Sequence, residues 1–430
     1  MSLPIIGGMV SQNILNLVDT AMVGQLGHVA LAAVGLGGFA NFLAIAFIMG
    51  LSSGVQAMAA RRVGEDRLNE TAKPLNGGLL LALCLSIPLT LILYFSAPFL
   101  FPYLIDDPDV VSSGVPYLQV RLLGIAAVGM NFSFRGYWNG VNLPRLYLKT
   151  LLIMHAINVF LNYVLIFGKW GFPEMGATGA GLGTMLSTYI GTGVYIFLGF
   201  QYARENGFLR QLPQRKTILT MLRLSIPAGV QQFFFAAGMT MLFWIIGQIG
   251  TAEVAASNVL INLLLVCILP GIGFGLACAS LVGQALGRKD PDDAKEWGYD
   301  VVKIAALCVA ILSSTAFIWP DFYLEWFIQD SKTLALARRP LQLIALAMPI
   351  DVAGLVLLNA LLGAGASRTV MVVSISLQWL LFMPIAWLVG PVLELGLIAI
   401  WAAQCGYRTL QTLVLVVIWQ RGRWQKINVD

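Results

Sequence analysis

Stretches of about twenty apolar residues succeed one another along the whole chain, and that recurrence limits the fold more than any single motif does. A helix needs roughly that length to cross a hydrocarbon core about 30 Å thick, where the backbone must satisfy its own hydrogen bonds. The stretches fall near residues 3–23, 29–60, 74–99, 114–138, 146–167, 175–203, 217–246, 252–285, 294–319, 340–363, 369–390 and 394–420. The expected fold is therefore an all-α integral membrane protein of about twelve spans, with no soluble domain between them. Composition agrees, since 58% of the 430 residues are hydrophobic and only 11% are charged. The 44 glycines suit close helix approach in lipid, and the 18 prolines permit bends within spans. The lipid bilayer is the first partner this implies.

Basic residues gather in alternate connections: Arg61, Arg62, Arg67 and Lys73; Arg145 and Lys149; Arg204, Arg210, Arg215 and Lys216; Arg288, Lys289 and Lys295; Arg368; and Arg421, Arg423 and Lys426. The intervening loops are poor in them and partly acidic, as at Asp106, Asp107 and Asp109, although Arg338 and Arg339 run against the trend. Cytoplasmic loops carry the excess of Lys and Arg, so both termini are expected on the cytoplasmic side of the inner membrane. That bias accounts for the formal charge of +5 and leaves no case for nucleic-acid binding. Cys84, Cys267, Cys278, Cys308 and Cys405 lie in apolar stretches without CxxC spacing and read as packing residues. With two histidines, His28 and His155, and no HExxH, GxSxG or Walker pattern, the chain does not read as an enzyme or a metal protein. The first stretch lacks a basic n-region and a small-residue cleavage site, so it reads as a span and not as a signal peptide.

Within this apolar background the polar residues stand out. Asp19 sits in the first stretch, and a carboxylate at membrane depth costs about 2.5–3.5 kcal/mol, which marks it as functional. Gln12 and Asn16 precede it at one-turn steps, so the three share a helical face turned toward a bundle interior or a wet cavity. Asn158 and Asn162 form a one-turn pair in the fifth stretch, and Thr184 and Thr188 another in the sixth. Both pairs offer neutral donors and acceptors to a buried carboxylate. Gln12, Asn16, Asn131 and Thr188 read either as lining for a cargo pocket or as ties between helices. Arg135 reads as a snorkelling or loop-anchoring charge, and His155, one turn before Asn158, as a hydrogen-bonded structural residue that also has the reach to tune proton affinity.

The chain also repeats itself. Gly24-Gln-Leu-Gly27 recurs as Gly247-Gln-Ile-Gly250, Gly64 pairs with Gly287 and Gly140 with Gly363, every pair 223 positions apart. Two six-helix lobes follow, 1–205 and 217–430, joined by a cytoplasmic linker at 206–216. An even number of spans per repeat gives both lobes the same orientation, related by an axis along the membrane normal with a cavity between them. The repeat is broken at the chemistry, because the position equivalent to Asp19 is Leu242.

One set of motifs carries a family likeness: Val18-Asp-Thr-Ala-Met-Val-Gly-Gln-Leu-Gly27 with Ala32-Ala-Val-Gly35, then Arg135-Gly136, Gly140 and Pro144, then Asn158-Val-Phe-Leu-Asn162 with Ile166-Phe-Gly168, and Gly176-Ala-Thr-Gly-Ala180. Over nearly its full length the chain resembles the multidrug and toxic compound extrusion (MATE) transporters, and within them the DinF-like branch. The resemblance implies two lobes in a V around a central cavity, with Asp19 as the ion-coupling carboxylate and Asn158, Asn162 and Thr184 as its partners. Family members often carry an aspartate where this chain has Asn162, so a two-carboxylate site is reduced to one. Pro4, fifteen residues before Asp19, matches the family's hinge proline. Asp351 resembles the cation-site aspartate of the NorM-like branch, but Phe235 stands where the partner glutamate is expected.

The function implied is proton-coupled antiport, by a monomer without cofactor, of small-molecule drugs that are lipophilic, cationic or zwitterionic. Protonation of Asp19 would bend the first span at Pro4 and expel the cargo. The rival readings are a sodium-coupled exporter of the same family and a flippase of lipid-linked substrates.

Overall fold

The computed structural model describes residues 1–429. Among them twelve membrane-length helices follow in order: α1 (Ser2–Gly24), α2 (His28–Gly64), α3 (Lys73–Leu100), α4 (Pro108–Leu123 and Ile125–Gly140), α5 (Pro144–Phe167), α6 (Gly176–Tyr202), α7 (Arg215–Gly247), α8 (Thr251–Gly287), α9 (Pro291–Ile318), α10 (Ser331–Gly363), α11 (Ser367–Val392) and α12 (Leu397–Arg421). Nine are long and apolar enough to cross a membrane, or ten when the halves of α4, bent by 46° at Gly124, count as one span. The remaining two are α1 and α12, whose apolar character is diluted by Gln12, Asn13, Asn16 and Asp19 in one and by Gln404, Arg408 and Gln411 in the other. On α3, Leu83, Ile87, Leu91, Phe95 and Phe99 are all exposed in an unbroken stripe. A face of that kind belongs against lipid, and the chain is a multi-pass membrane protein.

The helices gather into two compact units, Leu3–Gly229 and Val230–Val429. The division falls inside α7, just past Pro227, where the ring removes a backbone donor. The starts of the helices follow ordinary capping chemistry. Asp107 accepts from the backbone N–H of Asp109 at 2.9 Å at the head of α4, and Asp330 accepts from the N–H and hydroxyl of Thr333 at 2.9 and 2.7 Å at the head of α10. The bonds from Thr333 hold the Asp330 carboxyl below the usual carboxylate range. Pro108, Pro144 and Pro291 occupy first positions, where the missing N–H has no helical acceptor to lose.

The internal repeat is visible in these boundaries. α8 begins and ends 223 positions after α2, α10 does the same relative to α4, and the capping residues Asp107 and Asp330 keep that spacing. It extends to single contacts. In the first unit Gly140 of α4 packs on the carbonyl of Gln56 in α2, and in the second Gly363 of α10 packs on the carbonyl of Ala279 in α8, both partners being 223 apart. One turn earlier the sizes are exchanged across the contact. Gly136 faces the Ser52 carbonyl in the first unit, whereas in the second Asn359 occupies the bulky side and Gly275 gives way. Helices in lipid associate through such close approaches at small residues.

A methyl group on Gly136 or Gly363 would overlap a carbonyl oxygen of the neighbouring helix, which cannot retreat as a side-chain tip does. Gly136→Ala and Gly363→Ala are each expected to lower stability by about 1–3 kcal/mol. Gly406→Ala, where nothing lies within 4 Å, should leave it unchanged. Thermal unfolding of the detergent-solubilised chain reads the difference.

Candidate functional site

In the first unit the polar residues of α1, α5 and α6 form one connected set. Asn162 is fully buried and donates from Nδ2 to Asp19 Oδ1 at 2.8 Å and to Asn158 Oδ1 at 3.2 Å. Asn158, also buried, donates in turn to the hydroxyls of Thr184 and Ser187, both at 3.2 Å. Those hydroxyls are anchored to the α6 backbone, Thr184 donating to the Ala180 carbonyl at 2.9 Å and Ser187 to the Thr184 carbonyl at 2.9 Å. Three helices therefore meet at a half-buried carboxylate through neutral groups, and the charge acting on it from α4 is the guanidinium of Arg121.

One atom in this set is unsatisfied. Asn162 Oδ1 is buried and has no hydrogen-bond partner. It points at Gly183 of α6, where a methyl group would collide with it. An orphaned acceptor in a site this dry carries a desolvation cost of about 1–3 kcal/mol, and a new donor arriving beside Asp19 relieves it. Close packing holds the site in place. Val23, one turn beyond Asp19, clusters with Tyr117 of α4, Ile166 of α5 and Ala180 of α6, with Met22, Leu26 and Phe167 against them. Nearer the start of α1, Gly8 lies against the Tyr147 ring and Leu151 of α5.

Gln12 and Asn16 belong to a second group on the same α1–α5 seam. Gln12 Nε2 donates to Asn16 Oδ1 at 3.3 Å, and its Oε1 lies 3.1 Å from His155 Nε2. Ser11 Oγ lies 2.7 Å from His155 Nδ1. Since Gln12 Oε1 only accepts, the neutral imidazole carries its proton on Nε2 and takes the Ser11 hydroxyl at Nδ1. His155 is thus fixed from both sides, and Ser11 is a partner that apolar periodicity gave no reason to select. Asn131 is tied to α6 at both ends of its amide, donating to the Thr188 carbonyl at 3.2 Å and accepting from Thr192 at 2.9 Å. Thr188 spends its own hydroxyl on the Thr184 carbonyl at 2.7 Å. These geometries favour ties between helices for Asn131 and Thr188.

One sequence reading changes. Arg135 does not snorkel; its Nε donates inward to Ser52 Oγ at 3.2 Å and its guanidinium lies 4.4 Å from the Phe132 ring centroid. Pro4 falls in the first turn of α1. Asp351 of α10 is ion-paired with Arg408 of α12 at 2.5 Å, and on α7 Phe235 stands where the partner glutamate is expected. A lone arginine deep in the apolar stretch 394–420 was the sequence signal for it.

Comparison with known proteins bears on the whole chain. The profile of the MatE family matches residues 4–164 and 227–388, one copy in each half. The chain is 25% identical to a probable multidrug resistance protein NorM of Thermotoga maritima, over 99% of this chain and 92% of that protein. It is 26% identical to the multidrug resistance protein NorM of Photobacterium profundum, over 91% and 86%. Its fold superposes with a TM-score of 0.90 and 21% identity on a structure described as the outward-facing conformation of a multidrug resistance MATE family transporter, covering 100% and 96% of the two chains. A transporter from Pyrococcus furiosus matches with a TM-score of 0.88 at 21% identity, over 100% and 96%. A repeated six-helix unit, a carboxylate set among neutral amides at membrane depth and a family profile that fits each half lead to one assignment: the chain belongs to the MatE family of membrane transporters.

Proposed function

We propose that this chain exports small-molecule drugs, cationic or amphipathic, across the cytoplasmic membrane in exchange for protons bound at Asp19, with both termini on the cytoplasmic side. The observation that carries the proton is the pairing of Asp19 with an amide whose carbonyl oxygen is buried and unpartnered. Ionised, Asp19 is acceptor-only and takes the Asn162 N–H. Protonated, it becomes a donor, and Asn162 Oδ1 is the acceptor at hand once the amide turns, which carries Nδ2 away from Asp19 and Asn158 together. Protonation therefore turns the amide and changes how α1 is held against α5. That is a local switch between an arrangement that leaves Asn162 Oδ1 unpartnered and one that uses it.

Exchange follows when one carboxylate cannot hold proton and cationic cargo together, so that each ligand disfavours the other. A pH unit supplies about 1.4 kcal/mol per proton and a potential of 100 mV about 2.3 kcal/mol per charge, enough to concentrate cargo outward against a gradient. With a single carboxylate among neutral oxygens, one proton restores neutrality at the site. In this proposal α1 pivots from its Pro4 end, with the Gly8 contact to Tyr147 as the surface over which it slides. The names of the NorM relatives support drugs as cargo. Sodium is the competing ion, since the carboxylate and the amide oxygens of Asn158 and Asn162 also suit a hard cation.

Ethidium efflux from proteoliposomes under an imposed pH gradient, with and without sodium, tests this reading. Asp19→Asn should abolish pH-driven efflux, and sodium should be dispensable; an absolute sodium requirement, or undiminished pumping by the variant, rejects proton coupling here. Asn162→Leu removes the donor to the ionised carboxylate, worth about 1.5–3 kcal/mol, so its loss of stability should be largest at alkaline pH and shrink on acidification. Pro4→Ala with unaltered coupled efflux removes the pivot from the mechanism.

A further inference from the structure

Asp351 lies inside α10, two residues past Pro349, and Arg408 of α12 reaches it with two donors, Nε at 2.6 Å and Nη2 at 2.5 Å. Both land on Oδ1, and Oδ2 stands outside the pair. The remaining guanidinium nitrogen, Nη1, donates to Gln411 Oε1 at 2.9 Å, and Gln411 Nε2 donates to Ser374 Oγ of α11 at 3.0 Å. Little of either charged side chain is exposed, 12% for Asp351 and 17% for Arg408. Beside Arg408, Tyr407 stacks on Phe382 with ring centroids 4.6 Å apart, at the end of a π-helical stretch of α11 over residues 376–382. Wide turns of this kind in α-helices are frequent at functional sites. The repeated architecture does not require the charge, because the position equivalent to Asp351 in the first unit is Val128.

We propose that Arg408 is a tethered cation, filling the place beside Asp351 that a sodium ion or a proton would otherwise take, so that the second unit binds no coupling ion of its own. A carboxylate withdrawn from water at this depth needs a positive charge or a proton. A guanidinium supplies that charge at every accessible pH, because arginine does not deprotonate in proteins. Its fork is oriented by Gln411 and Ser374, so the pair is built to stay closed; removing one partner leaves an uncompensated buried charge, whereas removing both does not. The lone carboxylate left without Arg408 would be a cation site. The inference concerns the second unit alone and stands whatever ion Asp19 binds.

The test uses the full chain in detergent with Asp19→Asn throughout, which silences the first unit's carboxylate, and follows thermal unfolding with and without sodium and from alkaline to acid pH. Adding Arg408→Gln should lower the melting temperature by a few degrees and create a response to sodium or acid that restores it. Arg408→Lys and the double variant Asp351→Asn with Arg408→Gln should show no such response. An Arg408→Gln chain indifferent to both sodium and acid overturns the proposal. Sodium titration calorimetry of the Asp19→Asn chain with Arg408 intact gives a reading independent of how the variants fold: no binding heat is expected, and a heat that disappears on adding Asp351→Asn overturns the proposal.

Discussion

Within the hydrocarbon core a polar side chain has no water to fall back on, so every one placed there must find its partner in the chain itself. The two units meet that constraint in opposite ways. The first keeps its carboxylate among neutral amides and hydroxyls and leaves one acceptor, Asn162 Oδ1, with nothing to accept from. The second pairs its carboxylate with an arginine and fixes that arginine with Gln411. The first unit thus leaves an acceptor open beside its carboxylate, and the second sets a fixed cation beside its own.

The asymmetry is laid over a scaffold in which the two units remain nearly interchangeable. Helix boundaries, capping aspartates and the glycine contacts of α4 on α2 recur at one constant spacing in α10 on α8. Buried polar residues occupy positions the repeat leaves free: Leu242 stands at the position equivalent to Asp19, and it is buried with no polar demand. Because packing is carried by backbone-to-glycine contacts, side chains at those other positions were free to take up different chemistry in each copy.

Much of this was legible in the sequence, and the reasons for the misses are physical. Apolar stretches gave the helices, but α4 and α9 begin before the apolar residues do, because their first turns carry capping aspartates and polar residues that a hydropathy reading discounts. The one-turn spacings of Asn158 with Asn162 and of Thr184 with Thr188 identified shared faces, and the structure bonds Asn162 to Asp19, with Asn158 and Thr184 linked to it through Asn162. Spacing within a helix says nothing about which other helix lies opposite. That is why Arg408, 57 positions from Asp351, and Ser11, 144 from His155, were not paired in advance.

The exchange of sizes at one interhelical contact has a historical side. Gly136 meets the backbone carbonyl of Ser52 in one unit, and Gly275 meets the side chain of Asn359 in the other, so the same approach of two helices is made once against a backbone and once against a side chain. If both units descend from one duplicated ancestor, the two copies have kept the glycine of this contact on opposite helices. The duplicated halves thus share a contact but not the helix that supplies its small residue, and a helix moved from one unit into the other would bring a different partner to that contact.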